Sequence, residues 1–108
     1  MPNITIFLPA DEMPATATLS ELTDRCAELC TGLLQAALDN VHILYVPVRH
    51  GRGHPVFAEI RYRCAASRTP QVMERFMKGL DDAIRHATGA TARIRCFGSA
   101  ASSLHARN

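Results

Sequence analysis

The sequence predicts an α/β (α+β) fold: two β-α-β units forming one mixed four-stranded sheet, with both helices on one face. Three observations predict it. Four short β-branched segments and two longer segments of helical periodicity follow one another as strand, helix, strand, strand, helix, strand. The two helix starts, Thr18 and Thr69, lie 51 positions apart, and so do the strands that follow, from Val41 and from Ala92. The strand from Val41 is apolar on both faces, so two helices alone do not cover such a sheet and an oligomer is expected.

Residues 3–8 (NITIFL) are short and β-branched, with Pro9 closing the first strand. A loop rich in Pro, Ala and Thr follows. Thr18-Leu19-Ser20-Glu21 has the spacing of a capping box, in which two side chains satisfy free amides at a helix start. Leu19, Leu22, Cys26, Leu29, Cys30, Leu33 and Ala37 continue at helical spacing, which places a helix over 18–38. The second strand is 41–48, with Pro47 marking an edge or a bulge. The segment 50–55 (HGRGHP) reads as a turn, and its Gly-x-Gly is too short for a phosphate loop.

The third strand is 56–64. Thr69-Pro70 reads as an N-cap with proline at the first helical position. Val72, Phe76, Leu80, Ala83, Ile84 and Ala87 form the second helical stripe, Met73 and Met77 add packing, and Gly89 is the C-terminal cap. The fourth strand is 91–97, and the small polar tail after it frays or docks on a neighbour. The whole chain, 1–108, reads as one domain with a pseudo-repeat of 1–55 and 56–108. Two architectures share this order: the ferredoxin-like split unit, and a pair of complete β-α-β units.

Composition narrows the function. At 47% hydrophobic and 20% charged residues the chain is globular. No apolar run approaches the ~18 residues of a membrane span, and a cytoplasmic setting is expected. A net charge of +2 does not demand a nucleic-acid partner. An RNA-binding reading of Arg52-Gly53-His54-Pro55-Val56-Phe57 lacks the aromatics that stack on bases. Cys26, Cys30, His50 and His54 have a loose zinc-like order, but both cysteines fall on the apolar helical stripe, so no metal is expected. Cys64 and Cys96 read as strand core.

The charge divides unevenly: residues 1–55 carry −3 and residues 56–108 carry +5. In the third and fourth strands Ile60, Tyr62, Cys64, Ile94 and Cys96 share the helix-facing phase. Arg61, Arg63, Arg93 and Arg95 share the other. That row is either a solvated face or an anion-binding surface, since guanidinium pairs with carboxylates through two hydrogen bonds.

Met1-Pro2 followed by strand, long helix and strand, and then the same unit again, resembles the tautomerase superfamily in its two-unit branch. The stretch Tyr62-Arg63-Cys64-Ala65-Ala66-Ser67-Arg68-Thr69 resembles that family's strand-to-helix junction, with Ser67 where glycine is usual. Arg68 and Arg93 fall where members keep arginines for a substrate carboxylate. The resemblance implies removal of Met1, Pro2 as the catalytic base, Arg68 and Arg93 with Arg63 and Arg61 as substrate-binding residues, and no cofactor. It implies a homotrimer acting on a small carboxylate: a tautomerase or isomerase, or else a decarboxylase, a dehalogenase or a non-catalytic trimer.

An N-terminal proline suits the task because it is a secondary amine, a free α-amino group titrates near ~8, and neighbouring arginines and burial favour the neutral, proton-accepting form. Glu12 and Glu59 are candidate water activators, equally readable as solvated. Tyr62, His42, His86 and Phe97 read as core or surface before catalysis.

Overall fold

The computed structural model describes residues 2–108. The elements are β1 (Asn3–Pro9), α1 (Thr16–Gly32), β2 (His42–Val48), β3 (Val56–Arg63), α2 (Pro70–Thr88) and β4 (Ala92–Ser99). Short 3-10 turns follow β1, precede β2 and follow β4.

The sheet order is β2-β1-β3-β4, with β1 parallel to β2, β1 antiparallel to β3, and β3 parallel to β4. This decides between the two architectures. A split unit inserts another strand between the pair that its helix joins, whereas here each helix joins adjacent parallel strands.

Alternation builds the core. Ile4, Ile6 and Leu8 of β1 and Val56, Ala58 and Ile60 of β3 are buried beneath the helices. From α1 come Leu22, Cys26, Leu29 and Cys30, and from α2 come Met73, Phe76, Leu80 and Ile84. On the edge strand β2, Tyr45 reaches α1, where its hydroxyl meets Thr23 Oγ1 at 2.8 Å and donates to the Leu19 carbonyl at 3.3 Å.

The second helix has the termini its sequence predicts. Thr69 Oγ1 accepts from the Val72 N–H at 3.2 Å, Pro70 opens the helix, and Gly89 closes it at φ 73°. The first helix departs from expectation at both ends. Its N-cap is Ala15, without a side-chain cap bond, so Thr18 and Glu21 lie inside the helix and form no capping box. The preceding Met13 packs against the core, which anchors the entry two residues ahead of the expected start.

At the other end α1 stops at Gly32, and Gln35 takes a left-handed φ of 54°. That reversal seats Leu34 in the core at 1% exposure although it lies beyond the helix. Helical spacing alone carried the expected helix too far. Cys64 is also corrected: β3 ends at Arg63, and Cys64 is exposed. Its N–H still donates to the Ser99 carbonyl at 2.8 Å.

Candidate functional site

Pro2 lies one residue before β1, and alternation puts it on the helix-facing side with Ile4. Its side chain is less than 2% exposed, and its carbonyl accepts from the His42 N–H at 3.1 Å, extending the β1–β2 ladder. Asn3 pairs with Arg61, so Pro2 shares its end of the sheet with Tyr62 and Arg63.

Arg68 lies at this same end and is half-buried. Its Nε donates to the Leu34 carbonyl at 3.0 Å and its Nη1 to the Arg63 carbonyl at 2.6 Å. One side chain therefore ties the segment after α1 to the end of β3. Arg68 Nη2 has no hydrogen-bond partner among the described residues and remains the donor available to an anion. Its charge is felt nearby: burial pushes the Cys30 thiol up to about 11, with Arg68 opposing the rise. Burial likewise raises Tyr62, and Arg68 again opposes it.

Tyr62 leans away from Pro2 and over β4. A Cβ at Gly98 would meet Tyr62 Cζ and Oη at 3.0 Å and Cys64 Sγ at 2.9 Å, so glycine there makes room for the phenol.

The other sequence-predicted arginines are distributed differently. Arg61 is on the helix-free face, where its Nε is held by Glu59 Oε1 at 2.7 Å and its guanidinium lies 5.0 Å from the Phe97 ring centre. That contact commits Glu59 to Arg61. Arg63 is exposed just beyond Arg61, and its backbone carbonyl serves Arg68.

Arg93 is opposite Phe57, which is opposite Phe7. Phe7 is five positions along the chain from Pro2, roughly 16 Å at the usual rise, and Arg93 is on the other face. The single chain thus brings Pro2, Arg68 and Arg63 to one end of the sheet and leaves Arg93 at the opposite end.

Around Arg93 the structure assembles residues that sequence reasoning left apart. Arg52, Gly53, His54, Phe57, Arg93, Arg95 and Phe97 line an open cleft of about 540 Å³. Arg52 and His54 come from the β2–β3 turn, where Gly53 adopts φ 94°. The signal available in the sequence was the basic phase of the fourth strand; nothing in it showed that the turn lines the same cleft as those arginines.

Among solved structures, macrophage migration inhibitory factor from Toxoplasma gondii superposes with a TM-score of 0.77 at 16% identity, covering 96% of this chain and 95% of that one. Native fused 4-OT superposes at 0.76 and 17% identity, covering 96% and 91%. Malonate semialdehyde decarboxylase superposes at 0.73 and 11% identity, covering 98% and 91%. All three are tautomerase superfamily proteins.

The chain has the tautomerase superfamily fold.

No protein-family model matches the sequence, and no curated protein matches it by sequence. Agreement at 11–17% identity in those three is agreement of backbone, while most side chains differ. On the tautomerase fold, then, the chemistry has to be argued from Pro2 and the arginines themselves.

Proposed function

We propose that the protein is a tautomerase or isomerase acting on an enol or unsaturated keto acid that carries a carboxylate, with Pro2 as general base once Met1 is removed. The observation that carries this reading is the position of Pro2, buried at the start of a central strand, at the same end of the sheet as the half-buried Arg68. A cation close by and a low-dielectric setting both disfavour the prolinium ion, so the amine is neutral near pH 7. In ketonisation the amine takes the enol hydroxyl proton and delivers it to the adjacent carbon, which returns the amine to its starting state. Arg68 Nη2 and the exposed Arg63 hold the carboxylate, and Arg61 stands two residues back along β3 on the helix-free face.

Arg93 also binds substrate in this reading, and the roughly 16 Å along the strand means that it serves the Pro2 of a neighbouring protomer. A homotrimer in the cytoplasm supplies that neighbour. Support comes from fused 4-OT structures described as trimers, one superposing at a TM-score of 0.79 and 12% identity over 96% of this chain. Leu44 and Phe97, 49% and 44% exposed, leave apolar area on the helix-free face for a neighbour to cover. Sedimentation at micromolar concentration should give three times the chain mass; a stable monomer refutes the assembly. A decarboxylase is the second reading, favoured by the superposition with malonate semialdehyde decarboxylase.

The test is intact mass followed by kinetics on phenylenolpyruvate. The mature chain should lack Met1. Pro2→Ala should lose ~10²–10⁴ in rate, the usual worth of a general base, and a form extended at its N-terminus should be inactive because its nitrogen is an amide. An extended form that isomerises at the native rate refutes the mechanism.

A further inference from the structure

The two helices run antiparallel over the sheet, because each joins a parallel pair of strands and β1 is antiparallel to β3. They touch closely at Gly79, where a Cβ would come within 2.6 Å of Leu29 Cδ2. Seven positions back from Leu29 is Leu22, and seven forward from Gly79 is His86. There the helices leave a cleft of about 240 Å³ between the first half of α1 and the end of α2. Leu22, Ala83 and Ala87 give it an apolar floor, and the two alanines, one turn apart on α2, leave the space unfilled. Pro2 is at the other end of the molecule, since α1 begins beyond the far end of β1. The cleft belongs to the helix layer, away from the face that a neighbour covers in the proposed trimer.

Three polar heads share its rim: Glu21 and Arg25 from α1 and His86 from α2, all exposed. Glu21 and Arg25 are four positions apart, the spacing at which a carboxylate and a guanidinium commonly pair along a helix. They do not pair here. Arg25 Nη1 meets Glu28 Oε2 at 3.3 Å instead, and among the described residues Glu21 has no ion-pair partner. Unpaired surface charges occur elsewhere on the chain; what sets these two apart is that a negative and a positive head open on one apolar floor. The exposed contact with Glu28 holds Arg25 only weakly, which leaves it free to turn to a ligand. A ligand of both signs satisfies both heads at once. A lone anion there is repelled by Glu21 and a lone cation by Arg25, so the cleft selects against either. Its volume is below the ~300 Å³ at which pockets for drug-sized ligands begin, which calls for a small molecule.

We propose that the cleft between α1 and α2 binds a free α-amino acid with an aliphatic side chain. The ammonium is held by Glu21, the carboxylate by Arg25 and His86, and the side chain rests on Leu22, Ala83 and Ala87. The site shares no residue with the one proposed around Pro2, so either reading stands if the other fails.

Titration of the full-length protein with L-leucine, followed by amide correlation spectra, should give saturable shifts over residues 18–25 and 83–87 and none at Asn3, His42 or Arg68. Leucinamide, which lacks the carboxylate, and N-acetylleucine, which lacks the ammonium, should each bind at least tenfold more weakly. Glu21→Gln and Arg25→Ala should each weaken leucine at least fivefold, and Ala87→Leu should abolish its binding by filling the floor. Glu74→Gln, on the exposed side of α2, should leave it unchanged. Glu21 and Arg25 are exposed, so their variants should keep the native spectrum, and the two singly charged ligands test the proposal on the unaltered chain. The proposal is overturned if leucine gives no saturable shift, if the shifts fall only at the Pro2 end, if Glu21→Gln binds leucine as tightly as the parent, or if either singly charged ligand binds as tightly as leucine.

Discussion

Arg68→Ala separates holding the site together from holding the substrate. The side chain donates to two backbone carbonyls, Leu34 at 3.0 Å and Arg63 at 2.6 Å, from segments that no strand ladder joins. A hydrogen bond from a charged donor contributes ~1.5–3 kcal/mol, and the exposed setting of the Arg63 carbonyl lowers its share because water replaces the lost partner there. The Leu34 carbonyl is less accessible and retains more of the loss. A destabilisation of about 2 kcal/mol follows. At ~4–8 °C per kcal/mol for a chain of this size, the melting temperature should fall by about 10 °C. Differential scanning fluorimetry measures it. Arg68→Lys keeps the charge but cannot fork across both carbonyls, so it should recover about half of the loss. In the enzyme assay Arg68→Ala should also weaken apparent substrate binding about tenfold, while Arg68→Lys keeps part of that binding. A variant melting within about 2 °C of the parent would show that the two bonds carry no weight and that Arg68 belongs to substrate binding alone.

Phe76→Ala empties a fully buried site and should destabilise by ~3–5 kcal/mol, read from the denaturant midpoint at unchanged m-value. Gly89→Ala forces a side chain into φ 73° and should cost ~1–2 kcal/mol by chemical denaturation, although nothing crowds the new Cβ. Thiol labelling should take Cys64 first in the native protein and reach Cys26 and Cys30 only on unfolding. Burial raises Cys26 from 9.0 to about 12 and Cys30 from 9.0 to about 11, so the fold favours their neutral forms. That contribution is fully present below pH 9 and is lost as pH climbs toward 11–12; a denaturation midpoint that does not fall across this window would refute it.

What the sequence determined by itself was local and periodic. Strand alternation at Ile4, Ile6 and Leu8, the helical stripe from Val72 to Ala87, the Thr69 cap and the Gly89 stop each follow from the backbone chemistry of a few neighbouring residues. Local signals misled where a distant contact outweighed them. The capping-box spacing at Thr18 yielded to the docking of Met13, and the stripe through Ala37 was cut at Gly32 so that Leu34 could enter the core. The site was legible as residue types only. Strand phase assigned Arg61, Arg63, Arg93 and Arg95 to one face, but register and strand order decide which end of the sheet each occupies. Only the folded chain put Arg68 on two carbonyls near Pro2, leaned Tyr62 over Gly98 and brought Arg52 and His54 to the same cleft as Arg93. These contacts join residues far apart in the chain. Their energies depend on distances that no local pattern encodes, and those distances are set when the antiparallel pairing of β1 with β3 brings the two β-α-β units into one sheet.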